Sequence, residues 1–230
     1  MTDVHLDKDK RLRGPDAAVH ERRRAGALIG NEAFMALVEA LDWLPQGIVA
    51  ADGDSAVLWV NRSARSILDA GDGIRVANGR LRCTIRRDTM RLERVIALAA
   101  GGGTMVASDG AIAVLREERS PLSLVVRPAQ AGHGTAVALV FVSDPDSLTD
   151  IPLELLMELY GFTRSEARLA GAFARGSNLQ AYAASVGIGL GTARSQLKRA
   201  MAKTRTNRQH ELVRLILSGP AGGLIYRRSA

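Results

Sequence analysis

Seven side chains between positions 192 and 203 are of types that could act together: Thr192, Arg194, Ser195, Gln196, Lys198, Arg199 and Lys203. Arg and Lys neutralise phosphate or reach guanine O6 and N7, Gln pairs with adenine N6 and N7, and hydroxyls hold phosphate oxygens. Their spacing predicts a helix from about Leu190 to Lys203 whose core face is Ala193, Leu197, Ala200 and Met201. The polar set falls on the opposite face. The chemistry offered is contact with a polyanion and, at the base edges of a duplex, sequence readout.

The charge distribution agrees. Of a net charge of +7, the stretch from Phe162 to Ala230 carries +10, with Glu166 and Glu211 as its only acids, and the rest of the chain carries −3. That asymmetry is a footprint of nucleic-acid binding, with a solvated basic surface as the plainer alternative.

The elements that must position this helix are legible. Thr163-Arg164-Ser165-Glu166 is a capping box that opens a helix with Leu169, Ala170, Phe173 and Ala174 inward, stopping at Gly176. Asn178 caps a second helix, with Leu179, Tyr182, Ala183 and Val186 on one face, and Gly187 suits a left-handed turn after it. Two short helices joined by a glycine turn, the second basic outward, form a helix-turn-helix. Gly189 and Gly191 weaken the second helix at its start and either permit close backbone approach to DNA or are simply tolerated. A fourth helix, Asn207 to Ser218, places Leu212, Leu215 and Ile216 on one side.

Residues 162–218 resemble the LuxR-type (GerE- or FixJ-like) DNA-binding domain. Phe162-Thr163, Glu166, Gly176, Gly187-Ile188, Thr192-Ala193-Arg194, Lys203 and Arg208-Gln209-His210-Glu211-Leu212-Val213 carry the likeness without a gap. Phe162, Ala193 and Gly189 depart from the usual leucine, valine and capping serine. The resemblance implies a four-helix all-α domain. It places Arg194, Ser195 and Lys198 in the major groove, with Thr192, Gln196, Arg199 and Lys203 as backbone or flanking contacts. It makes Leu212, Leu215 and Ile216 the dimer surface.

The N-terminal part reads differently. Residues 1–30 are charged and expected to be flexible, because they carry almost no apolar payload. From Asn31 a helix is predicted on Phe34, Leu37, Val38 and Leu41, ending at Pro45. Two strands follow, Gly47–Ala51 and Ala56–Val60, across an Asp52-Gly53-Asp54 turn. A short helix over Arg62–Leu68 precedes a glycine-rich loop over 70–79, and a helix spans Arg86–Ala100. Three more strands are predicted over 111–115, 122–127 and 135–142. This order implies an α+β module with a five-stranded antiparallel sheet and helices on one side.

Leu44-Pro45-Gln46-Gly47-Ile48-Val49-Ala50-Ala51-Asp52, with Val57-Leu58-Trp59-Val60-Asn61-Arg62-Ser63-Ala64, resembles the opening hairpin of PAS sensor domains. The division expected is therefore a PAS-like sensing or dimerisation domain over 31–143, a linker with a short connecting or dimerising helix (Leu153 to Leu159) over 144–161, the LuxR-type domain over 162–218 and a tail over 219–230.

Other chemistries find less support. A single cysteine, Cys83, forms neither an internal disulfide nor a four-cysteine zinc site, and reads as a buried small hydrophobe rather than a redox sensor lowered by Arg82, Arg86 and Arg87. His5, His20, His133 and His210 form no metal-spaced pair, and the 86–100 helix offers no haem histidine. No nucleophile elbow or phosphate-loop lysine is present, so no enzyme, cofactor or metal is expected. No apolar stretch is long enough for a membrane span, no secretory signal opens the chain, and a cytoplasmic location is the default.

The function these features imply is a sequence-specific transcriptional regulator binding double-stranded DNA as a homodimer, with a small-molecule ligand in the PAS-like domain and RNA polymerase as further partners. The alternative is a protein-interaction regulator, with polymerase or another regulator as partner and only nonspecific DNA affinity. An enzyme with an appended helical domain is a third reading.

Overall fold

The computed structural model describes residues 32–102, 105–106, 108–131, 135–147 and 151–224. The expectations for residues 1–30, for His5, His20 and His133, and for the tail past 224 lie outside the described residues. Among the described residues, those up to Ala40 and those from Leu41 onward belong to separate units.

Helix α1 (32–41) has the predicted period, but Phe34 and Leu37 stand 61% and 66% exposed. Val38 and Leu41 of the same stripe are half-buried, so only part of it is covered; periodicity marks a face without saying what covers it.

The sheet module opens with β1 (Gly47–Ala51) and β2 (Val57–Val60), followed by α2 (Arg62–Ala70). The turn between the strands is held by Asp52, whose Oδ1 accepts from the Asp54 and Ala56 amides at 3.0 and 2.8 Å, and the left-handed residue is Ser55 rather than Gly53. Asn61 then fixes the start of α2. Its Oδ1 accepts from Ile48 N at 2.8 Å and Ala64 N at 2.9 Å, and its Nδ2 donates to Leu41 O and Gln46 O, each at 2.9 Å. One buried amide thus joins β1, the segment before it and the helix N-cap.

The segment read as a glycine-rich loop contains a hairpin, β3 (Ile74–Ala77) and β4 (Arg80–Cys83), turning on Asn78 and Gly79, both at positive φ. Asn-Gly between two short runs is the signal that marks such a turn. Glycines at 71, 73 and 79 outweighed it in the sequence reading.

Helix α3 (Arg86–Ala100) crosses the sheet, and β5 (Ala111–Val114), β6 (Leu122–Ala131) and β7 (Thr135–Ser143) complete it. Spatial order is β2-β1-β7-β6-β5, with every pairing antiparallel. The α+β expectation, with the five-stranded antiparallel sheet that the order of elements implies, is what the structure has. Alternating residues Leu122, Leu124 and Val126 of β6, and Ala138, Val140 and Val142 of β7, face inward. They meet Leu92, Val95, Ile96 and Ala99 of α3, and with Ile74 and Leu81 they close an aliphatic core.

Past β7 the chain is tied back to the sheet. The Arg116 guanidinium, 1% exposed, donates to Asp144 through both terminal nitrogens at 3.1 and 2.8 Å, to Asp146 at 2.9 Å and to Ser120 O at 2.7 Å. Burial alone would raise the Asp144 pKa, but the Arg116 hydrogen bond, the Asp146 amide and the charges of Arg116 and Arg119 hold it below the ordinary aspartate range.

The C-terminal module is all-α: α4 (Leu153–Tyr160), α5 (Arg164–Ala174), α6 (Leu179–Val186), α7 (Leu190–Thr204), α8 (Gln209–Ser218) and the short α9 (Pro220–Gly223). Helix α4, expected as a connector, contributes fully buried Leu156 to a core with Phe162, Ala170, Leu212, Ile216 and Ala221. A second cluster, Leu169, Phe173, Tyr182, Ala183 and Ala193, packs α5, α6 and α7 together, and Leu197 touches both.

Candidate nucleic-acid interface

Helix α5 begins on the predicted capping box. Glu166 N donates to Thr163 Oγ1 at 3.3 Å, and Thr163 N donates to Glu166 Oε2 at 2.8 Å. The same carboxylate receives Lys203 Nζ at 2.7 Å, and that ammonium also donates to Gly161 O at 2.7 Å. Burial pushes the Glu166 pKa up, but the Lys203 hydrogen bond and charge and the Thr163 amide together outweigh it and hold the pKa below the usual glutamate range. The end of α7 is thereby fastened to the start of α5.

Helix α6 is capped by Asn178, whose Oδ1 accepts from Ala181 N at 2.8 Å. It closes on Gly187 at φ 70°, a left-handed residue where a β-carbon would be strained. The chain then turns into α7, anchored by buried Ala193 and Ala200. Tyr182 Oη adds two contacts, with Ser165 O at 3.2 Å and Gln196 Oε1 at 3.0 Å.

Six of the seven expected contact residues, Thr192, Arg194, Ser195, Lys198, Arg199 and Lys203, are exposed along α7. Ser195 Oγ donates to Gly191 O at 3.0 Å, so its proton is engaged within the helix. Gln196 is half-buried against Tyr182 and Lys203 is held by Glu166, so both side chains are first of all internal ties. Periodicity could not separate them from free surface residues, because their partners lie 14 and 37 residues away.

The start of α7 has its own character. Gly189 at the N-cap offers no side-chain acceptor, leaving the first amides uncapped. A β-carbon on Gly189 or Gly191 would meet nothing within 4 Å, so internal packing does not demand glycine at either position. An uncapped, sterically bare helix N-terminus beside Arg194 and Lys198 is suited to a phosphate group.

The expected dimer surface needs correction. Leu212 and Ile216 are fully buried in the α4–α5–α8 core, whereas Leu215 is 36% exposed. An apolar stripe on a terminal helix has the same period whether it faces its own domain or a partner. Here α4 and α5 take it.

No family model matches the chain, and no curated protein matches it. Among solved structures, a complex of phage VqmA with DPO is similar at 15% identity over 85% of this chain and 94% of that one, with a TM-score of 0.36. A Vibrio cholerae VqmA dimer without target DNA is similar at 14% identity over 82% and 89%, with a TM-score of 0.34. A Vibrio cholerae VqmA–ligand–DNA complex is similar at 14% identity over 83% and 90%, with a TM-score of 0.35. At these identities and TM-scores the likeness carries no functional argument.

Proposed function

We propose that the chain is a sequence-specific DNA-binding transcriptional regulator in which the sheet module senses or dimerises and the C-terminal helix-turn-helix reads a major groove. The observation that carries this reading is α7. Its apolar side is locked by Ala193, Ala200 and the Tyr182–Gln196 hydrogen bond, while Thr192, Arg194, Ser195, Lys198 and Arg199 stand exposed behind an uncapped N-terminus. Rigid support beneath a free cationic face is what base readout requires.

In this reading Arg194 and Lys198 reach base edges, Thr192 and Arg199 hold flanking phosphates, and two copies address half-sites about 10 bp apart. A small molecule entering the sheet module between α3 and the strands would have to displace Leu92, Ile96, Leu122 or Leu124, all buried to within 1% exposure. The signal therefore acts by opening a packed core, or the module serves pairing alone.

The test is selection of duplexes from a random pool by the full-length chain, followed by affinity at two salt concentrations. An enriched inverted repeat, bound far more tightly than scrambled duplex, supports the reading. Arg194→Ala and Lys198→Ala must then each erase site preference while the fold persists. Enrichment of no sequence, with affinity collapsing as salt rises, overturns it in favour of nonspecific polyanion binding.

A further inference from the structure

The solvent face of α3 carries more charge and apolar surface than the fold of its own chain uses. Arg87, Arg91, Arg94 and Leu98 lie at i, i+4, i+7 and i+11 on one stripe, all exposed, with Met90 beside them at 55% exposure. Arg86 and Arg94 have no hydrogen bond or ion pair among the described residues, Arg87 Nε reaches only the adjacent Asp88 Oδ1 at 3.3 Å, and Arg91 reaches only Ala111 O at 3.0 Å. Arg86 and Arg87 also sit in the first turn of a helix whose N-cap, Ile85, supplies no side-chain acceptor. Positive charge there opposes the helix dipole. Asp88 in the same turn offsets part of that cost, but Arg86 and Arg94 gain no partner among the described residues, and unreturned cost marks a surface kept for something else.

An open groove of about 790 Å³ runs along this face, lined by Arg91, Arg94, Val95, Leu98 and Asp109 among others. Exposed Met90 and Leu98 (44%) make the face half apolar. Phosphate does not use such a mixture, whereas an acidic amphipathic helix does.

The chain itself carries one. On α4, Glu154 and Glu158 are exposed at i, i+4, unpaired among the described residues, and Leu159 beside them is 46% exposed. Four residues of helix separate their backbone positions by about 6 Å along the axis, the same rise that separates Arg87 from Arg91. In the described chain both faces are exposed, so neither covers the other.

We propose that the arginine face of α3 seats α4 of a second copy of this chain, with Glu154 and Glu158 on Arg87, Arg91 and Arg94 and Leu159 in the groove beside Leu98. Each copy offers both faces, so a two-fold pair makes the contact twice, as a self-complementary interface requires. This inference rests on the dimeric part of the proposed function and is independent of DNA recognition.

Sedimentation equilibrium of the full-length chain tests it, with circular dichroism as a check that each variant folds. Arg87→Glu/Arg91→Glu/Arg94→Glu and, separately, Glu154→Arg/Glu158→Arg are expected to weaken the dimer by about 10-fold or more. Combining all five substitutions restores opposite charges and is expected to recover most of the loss. A wild-type monomer overturns both this inference and the dimeric reading. A dimer indifferent to either charge reversal, or one weakened without recovery in the combined variant, overturns the inference alone. Loss of duplex affinity with dimerisation unchanged assigns the face to DNA and overturns it as well.

Discussion

Lys203 and Glu166, 37 residues apart in sequence, share a 2.7 Å hydrogen-bonded ion pair that joins the C-terminal turn of α7 to the capping box of α5. The carboxylate is buried and the ammonium partly so, at 36% exposure. Removing the lysine strands a buried charge, which usually costs several kcal/mol. Screening at the exposed partner reduces that, so Lys203→Ala is expected to lower unfolding free energy by about 2 kcal/mol. Chemical denaturation measures it. A loss below a few tenths would mean that Lys203 is an ordinary surface lysine.

The same pair sets an acid limit. Glu166 has a folded pKa below its unfolded value, so it binds fewer protons in the native state at mildly acidic pH. Its contribution is fully present above the ordinary glutamate range and is lost as pH falls through the lowered folded value. Asp144, lowered in the same direction, adds to the loss. Denaturation midpoints measured from pH 6 down to pH 2 are expected to fall, and Glu166→Gln is expected to flatten that fall. An unchanged slope in Glu166→Gln would remove Glu166 from the explanation.

Asn61 gives a sharper structural prediction. Both its amide protons and its carbonyl oxygen are used, in four bonds of 2.8–2.9 Å. Asn61→Ala leaves two buried amides, Ile48 N and Ala64 N, without an acceptor, at about 2–4 kcal/mol in total. Asp is as good an N-cap as Asn on an ordinary helix. Here Asn61→Asp is nevertheless expected to fail at pH 7, because its second oxygen would face Leu41 O and Gln46 O. If Asn61→Asp matched wild type in thermal denaturation, N-capping alone would be the role of this residue.

Much of this was legible in the sequence, and the misses share a cause. Helix α3 over 86–100, strand β1 over 47–51 and the Thr163–Glu166 box have the bounds read from periodicity and capping residues, which are local signals. The β3–β4 hairpin escaped although Asn78-Gly79 marks it, since its strands are only four residues long and glycines flank it. Leu212 and Ile216 show the other limit. Spacing identified their face, but only the packing of α4 and α5 decided that the face is core. Residue type and helix position point to Gln196 and Lys203 as contact residues, whereas contacts distant in sequence engage them.

Cys83 separates the two readings of the lone thiol. It is 6% exposed, and burial first, then the negative charge of Asp88, push its pKa up to about 12. The neighbouring arginines do not reverse this: Arg86 and Arg87 are exposed and Arg82 pairs with Glu93. The thiol therefore stays protonated at pH 8, so alkylation of the native chain is expected to be very slow and to become complete in denaturant. Prompt stoichiometric labelling of the native protein would contradict the burial and reopen a redox role.

Gly191 tests whether the bare start of α7 exists for DNA. Its position is helical, its φ is not left-handed, and an added β-carbon would meet nothing within 4 Å. Within the chain, alanine is therefore the better residue, and Gly191→Ala is expected to raise stability by up to about 1 kcal/mol. If the first turn of α7 lies against a phosphate, the same methyl group stands between backbone and ligand. Affinity for the selected duplex is then expected to fall about 10-fold while the melting temperature rises. Opposite movement of the two quantities is the signature of a glycine kept for binding, since a residue kept for folding would lose both. Higher stability with undiminished affinity would move the DNA away from this turn and leave Arg194 and Lys198, further along the helix, as the sole close contacts.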